Sequence, residues 1–424
     1  MRDNVAPCCS GDFHPFDHRH DAKSLPAPQE IPMEHRYDIV IIGGRVIDPS
    51  QNLDQICSVA VTNGRIAAIE QQIDSGIARY SIDARGLIVT PGLVDLHVHV
   101  YTHSPFGLDA DQLCPAGGVT TMLDAGTAGS YNFEPFRRDM IDHAETQILS
   151  LVNLSCIGLV GSNLGELRDR RYADPAGVVE TIRKHSDVAV GVKIRASEDI
   201  IGAGQQGWDN LHDAISAARE AGVWLMVHIG ECPMSLSDLS NALAPGDCIT
   251  HCFKGGSTRV TDDSGRIWDD VQSAAERGVI FDVGHGAGSF QWEVVESSIE
   301  QGFLPTTIST DLHTRNIHGP VYDMPTTMSK FLMLGLPLET VIEMSTTRPA
   351  AILNRADEIG TLRVGTVADI TVLEKHEGRY RFIDSYHQER IGHDLLTAAA
   401  TIRRGEIVPG GGGTRMRHYA DGEK

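Results

Sequence analysis

Between residues 91 and 351 the chain alternates short apolar runs with longer amphipathic stretches. Helical patterns such as WDNLHDAISAAREAG and IWDDVQSAAERG separate runs that have the length and composition of buried β-strands. Eight such runs follow one another: VDLHVHV, VTTMLDAG, SLVNLS, VAVGVKIRAS, VWLMVHIG, CITHCF, VIFDVGHG and PTTISTDLH. Eight strand–helix units over about 260 residues are typical of a (β/α)8 TIM-like barrel, which predicts an α/β fold.

The two ends of the chain have a different texture. Residues 37–90 and 352–408 consist of short β runs broken by Gly, Asp and the pair Asn63-Gly64, a strong hairpin signal. We expect them to form one small β-sandwich domain built from both chain ends, beside a (β/α)8 barrel of residues 91–351. Residues 1–36 are polar with several prolines and are predicted to be a poorly ordered arm, and residues 409–424 a flexible tail.

Charge and composition exclude some classes of partner. The formal net charge is −21, from 36 Lys and Arg against 57 Asp and Glu, which argues against nucleic acid. The sequence contains no apolar run of about 20 residues, so no membrane partner is expected. The eight cysteines show no CxxC pair, which favours a reducing, cytoplasmic location.

Polar residues stand at the ends of five of the eight predicted barrel strands. His97 and His99 are separated by one residue, so on a strand their side chains share a face. Two imidazoles in a dry interior are costly unless something satisfies both, and a metal ion would do so. The strand-end positions in question are His97, His99, Lys193, His228, His251 and Asp311.

Lys193 is unusual because it stands among Val and Ile residues of a predicted strand. Burial disfavours the ammonium and lowers its pKa, so that a free amine becomes accessible. A free amine can add carbon dioxide to form a carbamate, an anionic ligand with two oxygens that can bridge two metals. A salt bridge to a core carboxylate is the structural alternative. Four His, one carbamate and one Asp would suit two zinc ions.

These motifs resemble the amidohydrolase superfamily in its binuclear, carboxylated-lysine branch. The resemblance runs from about Tyr37 to about Glu374 and rests on PGLVDLHVH, GVKIRAS, VHIGE, ITHCFKG, TISTDLH and STTRPAAILN. Within that branch the sequence is most similar to the amidohydrolase/deacetylase family, through GVTTMLDAGTAGSYNF, FDVGHGAGSFQW and DLHTRNIHGPVYDMPTTMSKFL.

The resemblance implies a role for each ligand position. His97, His99, Asp311 and carboxylated Lys193 would bind the more buried metal ion. His228 and His251 would bind the second ion, which carboxylated Lys193 also reaches. A hydroxide bridging the metals would attack the substrate carbonyl, and Asp311 would carry the proton to the leaving group.

Four further residues are candidates for substrate binding. Arg195 shares a face with Lys193 and suits a substrate carboxylate, unless it is tied to a structural acid. His285 lies in a Gly-rich turn that could cradle an anion, but such histidines also orient other ligands. Asp124 is either a pocket residue or a turn former, and Tyr101 could hydrogen-bond a substrate carbonyl.

The resemblance therefore implies hydrolysis of an amide or ester acyl bond of a small carboxylate-bearing substrate. A cyclic-amide hydrolase, similar to dihydroorotases and hydantoinases, is the alternative that shares this ligand set. A mononuclear deaminase is disfavoured by Lys193, and a non-enzymatic scaffold by the full set of ligands. The expected partner is a small acylated acid, and a homo-oligomer is left open.

Overall fold

A computed structural model describes residues 35–409 of the chain. The predicted arm and tail therefore lie outside the described residues, apart from positions 35, 36 and 409. The chain begins with five strands: β1 Tyr37–Asp48, β2 Leu53–Thr62, β3 Arg65–Glu70, β4 Ala78–Asp83 and β5 Ile88–Pro91. The turn between β2 and β3 is formed by Asn63 and Gly64, both with positive φ (51° and 72°), as the Asn-Gly signal predicts.

Seven parallel strands follow, and each pairs with the next one along the chain. They are β6 Leu93–Val98, β7 Val119–Asp124, β8 Gln147–Asn153, β9 Ala189–Arg195, β10 Trp224–His228, β11 Cys248–Thr250 and β12 Ile280–Asp282. Their side chains are almost all buried, because helices cover the outside of the barrel and side chains fill its inside. The strands form a nearly closed barrel of the predicted TIM-like class.

The predicted eighth strand closes the ring but is irregular. It touches the neighbouring strands through two isolated parallel bridges, Asp282 with Thr307 and Val98 with Leu312. Two features interrupt regular pairing. Asp311 has a positive φ of 49°, and the Ser and Thr hydroxyls of the segment bond buried carboxylates, as Thr310 does with Asp95.

Eleven α-helices stand among the described residues, the longest with 18 residues. They are α1 Ala110–Gly117, α2 Phe133–Phe136, α3 Pro175–Lys184, α4 Glu198–Ile201, α5 Gly204–Ala221, α6 Leu236–Ala242, α7 Asp269–Glu276, α8 Trp292–Glu300, α9 Met324–Met333, α10 Leu338–Ser345 and α11 Thr347–Ile352. Within this part of the chain, none of them combines the length and apolar character that crossing a bilayer requires.

The chain ends with β13 Ile370–Ile383, β14 Glu389–Arg403 and β15 Glu406–Ile407. β13 pairs antiparallel with β5, so the strands from the two ends join in one eight-stranded sheet separate from the barrel. β1 branches the sheet because it pairs with β2, β4 and β5. Apolar residues such as Ile39, Val59 and Val372 form the core of this second unit. A sheet built from both chain ends is what the sequence predicts.

Candidate metal centre

Two histidines at the C-terminal end of β6 approach the carboxylate of Asp311 in the barrel interior. His97 Nε2 lies 3.4 Å from Asp311 Oδ1, and the Nε2 of His99, which directly follows β6, lies 3.2 Å from the same oxygen. All three residues are buried, and their ligand atoms lie within 4.8 Å of one another. Two imidazole nitrogens and a carboxylate oxygen at this spacing form a donor set suited to a divalent metal such as zinc.

The other ring nitrogen of each histidine contacts a threonine hydroxyl. His97 Nδ1 lies 2.8 Å from Thr250 Oγ1, and His99 Nδ1 lies 2.7 Å from Thr127 Oγ1. These contacts hold the rings so that both Nε2 atoms face Asp311.

Lys193 on β9 ends beside the same cluster. Its side chain is only 1% exposed, and Nζ lies 3.4 Å from His97 Nε2 and 3.1 Å from Met226 Sδ. Burial lowers the pKa of the ammonium from 10.5 to about 8, and the nearby Asp311 carboxylate opposes part of this change. Lys193 is thus a buried amine in contact with one of the candidate metal ligands.

His228 and His251 form the second pair of imidazoles. His228 ends β10, His251 directly follows β11, and His228 Nδ1 lies 2.7 Å from His251 Nε2. The backbone of His251 has a positive φ of 72°, and its Nδ1 contacts the carbonyl oxygen of Gly284 at 2.6 Å. The ring centre of His251 is 5.0 Å from that of His97, so the two groups of ligands adjoin. The structure brings all six predicted metal positions into one cluster.

Burial keeps these imidazoles neutral. Loss of hydration lowers the pKa of His99 to about 3 and that of His251 to about 4, and it holds the pKa values of His97 and His228 well below 6.5. Neutral imidazole is the form that binds metals, and the ligand atoms face one another across the site. The residues present therefore fit a metal centre.

The predicted substrate-binding residues differ from one another in their surroundings. The Arg195 guanidinium is 21% exposed, and its Nη1 donates to Oε1 of the buried Glu166 at 2.9 Å. Tyr101 is buried, and its ring lies 4.8 Å from that of Phe136. Burial raises the pKa of the Tyr101 phenol.

Asp124 is fully buried at the end of β7, and its carboxylate faces the turn that follows. It accepts from the backbone N–H of Thr127 at 2.7 Å, the Thr127 hydroxyl at 2.8 Å and the backbone N–H of Val100 at 2.9 Å. Asp124 therefore acts on the site through Thr127, the residue that contacts His99.

His285 lies in the turn after β12 with both ring nitrogens in contact with protein groups. Its Nδ1 is 3.0 Å from the Gly286 carbonyl oxygen, and its Nε2 is 2.6 Å from Nζ of Lys330. The ring also stacks on Phe290 at 4.5 Å. His285 thus joins the turn to helix α9, which carries Lys330.

Several residues of the centre escape the sequence analysis. Thr127, Thr250, Asp282 and Glu166 act only on other side chains, and single Ser, Thr or acidic residues at strand ends are too common to stand out. Lys330 had a readable signal, since it is the one cation in the apolar stretch MSKFLML. His313 follows Asp311 by two residues, and its ring centre lies 6.3 Å from that of His99.

An α/β barrel with candidate metal ligands at the ends of its strands has the arrangement in which barrel enzymes build their active sites. The model of the Amidohydrolase family matches residues 88–403. The chain belongs to this family, and the predicted membership is confirmed. It is therefore an enzyme of the hydrolase class that acts on C–N bonds.

Individual relatives carry different names. A deacetylase of Agrobacterium fabrum is 37% identical over 327 residues, which cover 76% of this chain and 79% of that protein. A crystal structure of an adenine deaminase superposes with a TM-score of 0.81 at 33% identity, over 88% of this chain and 99% of the other. A crystal structure of a dihydroorotase gives 0.79 at 33% identity, over 87% and 97%.

Proposed function

We propose that this protein is a metal-dependent hydrolase that removes an acyl group, such as acetyl, from an amide or ester of a small carboxylate-bearing substrate. The observation that carries the proposal is the approach of His97 and His99 to the Asp311 carboxylate, together with the contact between His97 and the buried amine of Lys193. The deacetylase similar to this chain in sequence supports the acyl-transfer chemistry.

The cluster would hold two divalent ions, which we propose to be Zn2+. The residues that would bind them are His97, His99, Lys193, His228, His251 and Asp311. When bound, such ions supply an acidified water nucleophile and polarise a carbonyl oxygen.

Lys193 is suited to carry carbon dioxide. With a pKa of about 8, about one tenth of the side chain is free amine at pH 7, against less than a thousandth at a pKa of 10.5. The amine nitrogen bonds to the carbon of CO2 and releases one proton, which leaves an anionic carbamate. The carbamate offers two oxygens to a site that otherwise contains a single carboxylate among its six proposed ligands.

Asp311 is the proposed proton carrier. Its Oδ1 lies between the Nε2 atoms of His97 and His99, at 3.4 and 3.2 Å, and a carboxylate at hydrogen-bond reach of the reacting atoms can accept a proton and pass it to the leaving group.

Arg195 is the proposed anchor for the substrate carboxylate. Glu166 engages Nη1 and holds the guanidinium in place, and the remaining N–H groups of a planar guanidinium can bind a carboxylate at two points. Tyr101 and His285 stay proposed substrate contacts, and both are buried. For Asp124, the contacts of its carboxylate with Thr127 and Val100 favour the turn-forming alternative over a substrate contact. A cytoplasmic location stays a prediction, and a homo-oligomer stays open.

A matched substrate panel tests this function. N-acetyl amino acids and O-acetyl hydroxy acids are compared with the same compounds whose carboxylate is converted to a carboxamide. We expect hydrolysis of the acids and a loss of kcat/KM of at least about tenfold for the carboxamides, because one charge-assisted bond to Arg195 is lost. Equal rates on both, or no hydrolysis of any acylated acid, would contradict the proposal.

A cyclic-amide hydrolase is the second candidate, because a structure named as a dihydroorotase superposes at 33% identity. Dihydroorotate and hydantoins therefore belong in the same panel. Ring opening of these compounds without cleavage of linear acyl bonds would replace the first proposal with the second.

A further inference from the structure

The two β6-derived histidines are held by the same arrangement from two sides of the barrel. On one side, His99 contacts Thr127, whose hydroxyl donates to Asp124 Oδ2 at 2.8 Å. On the other, His97 contacts Thr250, whose hydroxyl donates to Asp282 Oδ2 at 2.7 Å. On each side, hydrogen bonds connect a carboxylate to a threonine hydroxyl and that hydroxyl to the Nδ1 of a histidine.

The direction of each hydrogen bond follows from the carboxylate end. Both carboxylate oxygens of Asp124 accept a backbone N–H, Oδ1 from Thr127 and Oδ2 from Val100, so the carboxylate faces the Thr127 hydroxyl as an acceptor. The Thr127 hydroxyl therefore donates its single proton to Asp124. Its oxygen can then only accept a hydrogen bond from His99 Nδ1, so this nitrogen must carry a proton.

The hydrogen bonds from Asp282 through Thr250 to His97 have the same directions. Asp282 faces the hydroxyls of Thr250, Thr307 and Ser309, all within 2.8 Å. Thr250 gives its proton to Asp282 and accepts from Nδ1 of His97.

We infer that the Asp124–Thr127 and Asp282–Thr250 pairs are positioning residues that fix His99 and His97 as the tautomer protonated at Nδ1. In this tautomer the Nε2 lone pairs point to Asp311 and are free to bind a metal. With the proton at Nε2, neither ring could bind a metal through that atom. Partners of this kind set ring orientation and tautomer at metal sites. The inference rests on the proposed function only in taking both histidines as ligands.

His251 provides an internal reference. Its Nδ1 faces the carbonyl oxygen of Gly284, which can only accept, so His251 has the same tautomer without a threonine. A side-chain substitution at Thr127 or Thr250 leaves that carbonyl in place.

The first test uses the metal-free protein. Long-range proton–nitrogen spectra of protein labelled with 15N-histidine distinguish the two tautomers of each ring. We expect His97, His99 and His251 to be protonated at Nδ1. A proton at Nε2 of His97 or His99 would overturn the inference, and this result needs no variant.

The second test measures the affinity for Zn2+ alone by competition with a chelator. Thr127→Val and Thr250→Val keep the shape of the side chain and remove the hydroxyl, so we expect affinity to fall by about 10- to 100-fold. Thr127→Ser restores the hydroxyl and should restore most of the affinity. Thr120→Val is the matched control, because Thr120 is buried on β7 and its hydroxyl has no hydrogen-bond partner among the described residues.

Unchanged zinc affinity in both valine variants would overturn the inference, and so would an equal loss in the Thr120 control. If a valine variant fails to fold, the zinc affinity of Thr127→Ser and the histidine tautomers of the wild type still test the inference. If the protein shows the expected tautomers but binds no zinc, the proposed function is overturned and the tautomer assignment stands. If the protein is a zinc-dependent hydrolase but both valine variants keep their zinc affinity, the proposed function stands and the inference about the threonines is overturned.

Discussion

Lys330 provides a stability prediction that is independent of any bound metal. It lies on α9, is 1% exposed, and its Nζ contacts His285 Nε2 together with the carbonyl oxygens of Pro320 at 3.0 Å and Ile383 at 2.7 Å. Burial lowers the pKa of this ammonium from 10.5 to about 7, although the carboxylates of Asp384 and Asp323 favour the charged form. The unfolded chain therefore holds a proton at Lys330 that the folded protein releases between pH 7 and pH 10.5.

Stability rises with pH wherever the unfolded state binds more protons, so this group makes the wild type more stable as pH increases through that window. One pKa unit corresponds to about 1.4 kcal/mol, and between pH 7.5 and pH 9 the gain is about 2 kcal/mol. Lys330→Met removes the titration, so the free energy of unfolding of the variant, relative to wild type, should fall by about that amount over the same interval.

Urea denaturation of metal-stripped wild type and Lys330→Met at pH 7.5 and pH 9 measures this difference. The other titrating groups are the same in both proteins, so their contributions cancel in the comparison. Lys184→Met is the control, since the Lys184 side chain is 61% exposed and its ammonium forms a surface ion pair with Glu134. Parallel behaviour of wild type and Lys330→Met, within about 0.5 kcal/mol, would refute the assignment of a depressed pKa to Lys330.

Three further predictions concern the site. Arg195→Met should raise KM for carboxylated substrates by about 10- to 100-fold with little change for their carboxamides, and an unchanged KM would remove Arg195 as the anchor. Asp311→Asn should lower kcat by about 100-fold or more with metals retained, which elemental analysis and steady-state kinetics check together; normal turnover would exclude it as proton carrier. Gly126→Ala should lower metal content, because φ is +79° and an added Cβ would lie 2.7 Å from Lys193 Cγ and closer to its Cβ. Gly222→Ala has similar strain (φ +71°) but open space, so an equal metal loss there would contradict the steric argument.

Local signals predict much of the fold. The Asn63-Gly64 turn needs positive φ at two successive residues, and the buried strands need continuous apolar runs, so both are readable along the chain. The irregular closing segment is different. Its geometry depends on hydroxyl-to-carboxylate hydrogen bonds such as that from Thr310 to Asp95, two residues that are 215 positions apart in sequence. Nothing local to either residue indicates the other.

The same limit applies to the site. The ligand positions can be predicted from sequence because a polar side chain at the end of an apolar run is unusual, as at His228 and Lys193. The residues that support them cannot be predicted in this way. Glu166 and Thr250 have no distinctive sequence signal, and only the fold brings them against Arg195 and His97, respectively. The turn containing His285 was visible in sequence, but its attachment to Lys330 is a tertiary contact.

We propose that one cluster in the barrel holds two metal ions with the help of a carboxylated lysine. The decisive measurement is the metal content per chain, by elemental analysis with and without added bicarbonate. We expect about two zinc ions per chain in the wild type and a clear loss in Lys193→Ala. One ion or none in the wild type, or full metal content in Lys193→Ala, would contradict it.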